Sequence, residues 1–115
     1  MDSRLSAGNI VIDRDEYAVR VGERRAKLTY IECELLATLM RERGRVLAPA
    51  ELLGAVWGAE AGDGPSRKLA VHISRLRKKI AGSRPYVIRT VPKRGYSLSE
   101  MSGAPDAGGA AINVT

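Results

Sequence analysis

The sequence has no phenylalanine, one cysteine and one histidine among its 115 residues. With only four tyrosines and one tryptophan, its hydrophobic core must be built mainly from aliphatic side chains. Because Cys33 is alone, an internal disulfide and a zinc site built from cysteines are excluded. His72 has no second histidine with which to share a metal ion, and it cannot form a catalytic triad by itself. We therefore expect neither a metal ion nor a cofactor.

Long hydrophobic runs are also missing. No stretch approaches the roughly 18 apolar residues of a membrane-spanning helix, and the N-terminus lacks the pattern of a signal peptide. We therefore expect a cytoplasmic protein with no membrane segment. The glycine-rich stretch over residues 58–65 lacks the Gly-Lys-Ser/Thr of a phosphate-binding loop, and the carboxylates are scattered. No enzymatic activity is expected.

Acidic residues are absent from one block of the chain. Residues 64–99 contain ten Lys or Arg and no Asp or Glu, whereas residues 1–63 contain nine basic and eleven acidic residues. Such a concentration of positive charge is self-repulsive, and an anionic partner would relieve the repulsion. Nucleic acid is the first candidate, and a solvated basic face is the alternative.

Strand-like patterns occupy the first part of the chain. Residues 9–13, 16–21 and 24–28 predict a small antiparallel sheet. In the middle run Tyr17, Val19 and Val21 share one face, which we expect to be half-buried. Residues 1–8 are predicted to be a flexible N-terminus, and residues 100–115 a disordered tail or linker. Between these two terminal segments, residues 9–99 are predicted to form one domain.

Three helices are predicted after these strands. Thr29 and Glu32 have the spacing of a capping box at the start of the first helix, which we expect to end near Gly44. Pro49 occupies a tolerated first position of the second helix. The third helix should run from Ser66 to about residue 81. Its apolar residues recur at helical spacing and predict one buried stripe, formed by Leu69, Ile73, Leu76 and Ile80.

The helix face opposite this stripe is basic. It holds Arg67, Lys68, Val71, Ser74, Arg75 and Lys78, with His72 and Lys79 on one flank and Arg77 on the other. A strand over residues 86–91, a turn from Pro92 to Gly95 and a return strand over residues 96–98 then predict a hairpin with Lys93 and Arg94 at its tip. This order indicates an α+β winged helix-turn-helix: an N-terminal antiparallel sheet, three helices and a C-terminal β-hairpin, the wing.

The sequence resembles the OmpR/PhoB-type DNA-binding effector domain of bacterial transcription regulators. The resemblance spans about residues 9–99, and its specific segments follow the family's order and spacing. These segments are Leu28-Thr29 with Glu32 and Leu35-Leu36, Gly44 to Leu47, Leu52-Leu53 with Val56 to Gly58, Val71 to Ile73 with Arg75 to Ile80, and Ile88 to Val91 with Gly95-Tyr96 and Leu98. The resemblance implies a four-stranded N-terminal sheet, a third helix in the major groove of DNA and a wing in the minor groove.

The expected contact residues combine this resemblance with the basic face. Arg75 is the candidate for a base contact, while Arg67, Lys68 and Lys78 are expected to meet phosphates. The full helix set is Arg67, Lys68, Val71, His72, Ser74, Arg75, Lys78 and Lys79, and the wing set is Thr90, Lys93 and Arg94. By resemblance, the loop with Gly58, Glu60 and Asp63 is a possible contact for RNA polymerase.

Of two departures from the family pattern, the one at Ala70 bears on base preference or a helix–loop contact, and the one in the wing bears on the partner domain. Ala70 stands where the family often has an acidic residue, and the wing sequence Pro92 to Tyr96 resembles CadC/ToxR-like members. A fused receiver domain of a two-component system therefore cannot be assumed, and a fused sensor domain is equally open. The resemblance also implies head-to-tail dimers on direct repeats of double-stranded promoter DNA.

Two other functions compete with DNA binding. A winged helix can be a protein-interaction module that docks on RNA polymerase or on a fused sensor or catalytic domain, with little base specificity. The basic outer face of the third helix favours DNA instead. RNA binding is disfavoured, because Tyr86 and Tyr96 are too few aromatics near the basic block to form a base-stacking platform.

Overall fold

The computed structural model describes residues 3–58 and 66–101. Four strands form the first part of the fold, β1 (Arg4–Ala7), β2 (Ile10–Asp13), β3 (Ala18–Val21) and β4 (Arg24–Lys27). Three helices follow, α1 (Tyr30–Arg41), α2 (Pro49–Trp57) and α3 (Ser66–Lys79), and then the hairpin strands β5 (Tyr86–Val91) and β6 (Gly95–Glu100). The predicted α+β winged-helix architecture is confirmed.

The N-terminal sheet is an antiparallel meander in the order β1-β2-β3-β4. Its inner face packs Ile10, Ile12, Val19 and Val21 into the core. The expected flexibility of residues 1–8 is wrong for β1, because Arg4–Ala7 pairs with β2 along its length. The four residues Arg-Leu-Ser-Ala alternate too little for the sequence to predict a strand. Hydrogen bonding to β2 stabilises the strand instead.

Tyr17 does not lie on the buried face of β3. It sits in the turn before that strand at φ 49° and is 41% exposed. Its carbonyl accepts a hydrogen bond from the Leu28 amide at 2.7 Å, and its ring meets the Tyr30 ring edge-on at 6.1 Å. The predicted alternation therefore holds only for Val19 and Val21, since the turn rotates Tyr17 out of the strand.

Helix α1 is the centre of the fold, and its start is confirmed. The Glu32 amide donates to Thr29 Oγ1 at 3.1 Å, and the Thr29 amide donates to Glu32 Oε1 at 2.9 Å. Helix α2 begins at Pro49 as predicted, and the Ala48 amide donates to Glu51 Oε1 at 2.8 Å. These bonds satisfy amide groups that a helix start leaves unpaired.

The stripe predicted along α3 is buried. Leu69, Ile73, Leu76 and Ile80 are all at most 3% exposed and join the core beneath α1 and α2. Regular helix ends at Lys79 rather than near residue 81. The chain turns away through Gly82, whose φ of +92° favours glycine.

The hairpin is joined to the segment before α2. Leu47 and Tyr96 exchange backbone hydrogen bonds of 2.8 and 3.0 Å. This close pairing requires Gly95, because a Cβ there would lie 2.0 Å from the Leu47 carbonyl oxygen. Strand β6 continues to Glu100, beyond the predicted end, and the Met101 amide donates to the Pro85 carbonyl at 2.7 Å. Residues 100 and 101 thus belong to the fold, while the expectation for 102–115 lies outside the described residues.

Candidate nucleic-acid interface

The outward face of α3 is basic and exposed. Lys68, Ser74, Arg75 and Lys78 are exposed, and Val71 is 43% exposed between them. Within the described part of the chain, no ion pair engages Lys68, Arg75 or Lys78. The buried aliphatic stripe on the opposite side holds this face outward, so the positive charges are available to an anionic partner.

His72 connects this face to the end of α2. Its side chain is half-buried, and its ring centroid lies 5.9 Å from the half-buried Trp57 ring. Nδ1 is buried without a hydrogen-bond partner among the residues described. Together with Lys68, Val71 and Arg75, His72 lines a shallow recess on the exposed side of α3. Packing against Trp57 fixes the position of this ring on the flank of the basic face.

Lys79 contacts a carboxylate of the protein, although its position on the helical wheel put it among the expected DNA contacts. Its Nζ lies 2.6 Å from Oε1 of Glu32, a side chain only 1% exposed in the N-terminal turn of α1. Burial raises the pKa of Glu32, but hydrogen bonds from Lys79 and Thr29 and the Lys79 charge outweigh burial and hold the pKa below its ordinary value. We therefore remove Lys79 from the DNA-contact set, because its ammonium group already neutralises a buried carboxylate.

Arg77 is a residue of this region that sequence reasoning left out. Its side chain is half-buried between α3 and the hairpin, with Nε donating to the Ile88 carbonyl at 3.1 Å and Nη2 donating to Thr90 Oγ1 at 2.6 Å. The guanidinium also lies over the Tyr96 ring, 5.9 Å from its centroid. Only the position of Arg77 on the helix flank hinted at this role, because no local pattern places β5 beside it.

The tip of the hairpin is exposed. Lys93 and Arg94 follow Pro92 in a turn closed by a 2.9 Å hydrogen bond from the Arg94 amide to the Val91 carbonyl. Lys93 has φ +65°, a conformation that residues other than glycine, asparagine, aspartate and histidine rarely adopt. Thr90 is exposed beneath the tip, and its hydroxyl oxygen accepts the Arg77 hydrogen bond.

Several predicted site residues lie outside the described residues. These are Glu60 and Asp63 of the loop before α3 and, within α3 itself, the side chain of Arg67. Gly58 is described and ends α2 at φ 63°, with its amide donating to the Gly54 carbonyl. A polymerase contact by this loop stays a prediction.

The described part of the chain offers neither a membrane-spanning helix, nor a metal site, nor a reactive thiol. None of the described helices is both long and apolar enough to cross a membrane. Over residues 3–58 and 66–101, no three His, Cys, Asp or Glu side chains are grouped as a metal site would need. Cys33 is fully buried in α1, and burial raises the pKa of its thiol, which disfavours the reactive thiolate.

The fold and this surface define a winged helix-turn-helix domain: an exposed basic helix followed by a hairpin with a basic tip, joined by Arg77. The family model described as "Transcriptional regulatory protein, C terminal" matches residues 22–98. The chain belongs to this family, which confirms the OmpR/PhoB-type resemblance.

Three similar proteins illustrate the family. The alkaline phosphatase synthesis transcriptional regulatory protein PhoP of Bacillus subtilis is 41% identical over 103 residues, which cover 87% of this chain and 42% of PhoP. The DNA-binding domain of Escherichia coli CadC superposes with a TM-score of 0.72 at 27% identity, covering 84% of this chain and 92% of that one. The Klebsiella pneumoniae RstA DNA-binding domain, solved in complex with RstA box, superposes with a TM-score of 0.68 at 30% identity. The match covers 85% of this chain and 98% of the RstA chain. The chain spans less than half the length of PhoP.

Proposed function

We propose that this domain binds double-stranded promoter DNA sequence-specifically as the effector domain of a bacterial transcription regulator. The observation that carries the proposal is the α3 surface, where Lys68, Arg75 and Lys78 project from a helix anchored by a buried aliphatic stripe. An α-helix of about 10–12 Å diameter fits a major groove about 12 Å wide. The RstA DNA-binding domain, which has a similar fold, has been solved in complex with RstA box.

The proposed roles follow from charge and position. Arg75, exposed in the middle of α3, donates to a guanine edge, and Val71 contacts a thymine methyl group. Arg67, Lys68 and Lys78 bind phosphates, and Ser74 is exposed on the same helix as Lys68 and Lys78. His72 meets the DNA backbone from the flank. The wing residues Lys93 and Arg94 enter the minor groove, where negative potential is concentrated over narrow A·T-rich sequence.

The remaining partners rest on the family. Relatives such as PhoP are more than twice as long as the part matched here, which supports a fused receiver or sensor domain in the whole protein. Head-to-tail dimers on direct repeats and a contact of the residue 58–65 loop with RNA polymerase complete the proposal. In this proposal the domain has no enzymatic activity and acts in the cytoplasm, where promoter DNA lies.

A protein-interaction module is the competing function. It would use the same fold to dock on polymerase or on a fused domain, and it would not need base discrimination. A continuous basic face on α3 has no evident use in that role, since a neutral helix would pack equally well. The exposed Lys68, Arg75 and Lys78 therefore favour DNA.

The test is a selection of binding sites from random duplex DNA with the 115-residue chain. Enrichment of one motif, above all a direct repeat with half-sites one helical turn apart, supports the proposal. A flat selection with steep salt dependence would mean charge-driven binding without specificity and would contradict it. Absence of duplex binding at low salt would favour the protein-interaction module.

A further inference from the structure

Arg77 ties the two predicted DNA-binding elements together. From α3 it donates to the backbone of β5 at Ile88 and to the side chain of Thr90, three residues before Lys93. Its guanidinium also covers the ring of Tyr96 in β6. One side chain of the helix thus contacts both strands of the wing, and we call these interactions the Arg77 contacts.

The hairpin is also held by contacts that do not involve the Arg77 side chain. Ile88 and Leu98 are buried in the core, and the Leu47–Tyr96 backbone pair fixes β6 to the segment before α2. The Leu47–Tyr96 pair does not involve α3, whereas Ile88 and Leu98 pack in the same hydrophobic core as the buried stripe of α3. The Arg77 contacts run directly from α3 to β5, and so bear on the angle between the helix and the wing.

We propose that Arg77 is a positioning residue for DNA recognition. Resting on the proposed function, the inference is that the Arg77 contacts hold the wing tip at the distance from Arg75 that lets both meet one duplex. A domain whose two binding elements are held in the correct relative position binds DNA more tightly. Once the first element is bound, the second meets the DNA at high effective concentration, and little conformational entropy is lost in ordering it. If the wing is free to swing, the tip contributes much less.

The test is a double-mutant cycle between Arg77 and the tip. The tip variant carries Lys93→Asn, which tolerates the positive φ, together with Arg94→Ala. Arg77→Lys retains the charge but cannot donate from two guanidinium nitrogens, and Arg77→Met removes the charge while keeping an unbranched stem. Affinities are measured on a selected duplex, each with and without the tip variant.

Arg89→Met is the matched control. Arg89 lies in β5 beside Ile88 and Thr90 and donates to the carbonyls of Glu100 and Met101 at 3.3 and 3.1 Å. The control removes one positive charge and two hydrogen bonds to the hairpin backbone, but it leaves the Arg77 contacts intact. Thermal melting of every variant separates loss of stability from loss of positioning.

In the unsubstituted chain and in Arg89→Met, we expect the tip variant to weaken binding about tenfold by loss of two cationic contacts. In Arg77→Lys and Arg77→Met, the same tip variant should weaken binding less than about twofold, because the tip is no longer positioned. If Arg77→Met does not fold, Arg77→Lys decides the result alone.

Two outcomes overturn the inference in distinguishable ways. A full tenfold loss from the tip variant in Arg77→Lys would leave the proposed wing contact standing and refute positioning by Arg77. No loss from the tip variant in the unsubstituted chain would refute the wing contact of the proposed function, and the positioning role with it.

Discussion

The Lys79 ammonium lies 2.6 Å from the Glu32 carboxylate, joining the last turn of α3 to the first turn of α1. Glu32 is almost completely buried and also closes the capping box with Thr29. Lys78, the preceding residue, is exposed and carries no ion pair with any described residue. Two adjacent lysines of one helix therefore have different surroundings: Lys79 neutralises a buried carboxylate, and Lys78 is exposed, as the proposed phosphate contact requires.

Substituting Lys79 should lower stability and leave DNA binding nearly unchanged. Lys79→Met leaves the Glu32 carboxylate buried without its partner. We expect a loss of about 2 kcal/mol in the free energy of unfolding, below the ~3–5 kcal/mol of fully buried pairs because Lys79 stays partly exposed. Urea denaturation measures the loss. Lys78→Ala is the control and should change stability by less than about 0.5 kcal/mol. A larger effect of Lys79→Met than of Lys78→Ala on DNA affinity would restore Lys79 to the contact set.

The Glu32 interactions should make stability depend on pH. Because the pKa of Glu32 is below its ordinary value of 4.5 in the folded state, its contribution is complete above that value. The contribution is lost as the pH falls through the lowered folded pKa. Glu32→Gln should therefore destabilise the domain by about 1–2 kcal/mol at pH 7, and this difference should shrink towards pH 3. Urea denaturation of both proteins at several pH values checks this, and a difference independent of pH would contradict it.

Gly95 should not tolerate a side chain. Gly95→Ala places a Cβ against the Leu47 carbonyl at φ +140°, so the Leu47–Tyr96 pair must separate. We expect a loss of about 3 kcal/mol or more, measured by thermal or urea unfolding. Gly54→Ala is the matched control, since among the described residues no atom outside the local helix backbone lies within 4 Å of a Cβ at that position. It should stabilise the domain by roughly 0.5–1 kcal/mol, and equal losses in both variants would refute the account of Gly95.

The sequence predicted those parts of the structure that depend on short-range pattern. The capping box of Thr29 and Glu32 spans three residues, and the buried stripe of α3 repeats at helical spacing, so both could be recognised locally. The family resemblance supplied the fourth strand of the sheet, which the weakly patterned Arg4–Ala7 did not indicate. Local pattern therefore sufficed for most elements and for the exposed basic face.

The errors at the candidate site concern contacts between segments distant in sequence. Lys79 and Glu32 are 47 residues apart, and a helical wheel places Lys79 near the basic face without showing what faces it. Arg77 and Thr90 are brought together by the turn after α3, whose geometry no residue pattern fixes. Long side chains at the edge of a helix face can meet either solvent or a neighbouring element, and only the tertiary arrangement decides which.

The central claim, that α3 distinguishes DNA sequences through Arg75 while Lys78 meets phosphate, has one direct measurement. Affinities of the unsubstituted chain, Arg75→Ala and Lys78→Ala are titrated against a selected site and against random duplex at several salt concentrations. Arg75→Ala should lose about 1–3 kcal/mol on the selected site and little on random DNA, with relaxed preference at one base position. Lys78→Ala should weaken binding to both and reduce the salt slope by about one unit. Equal losses for both variants on selected and random DNA would contradict the claim.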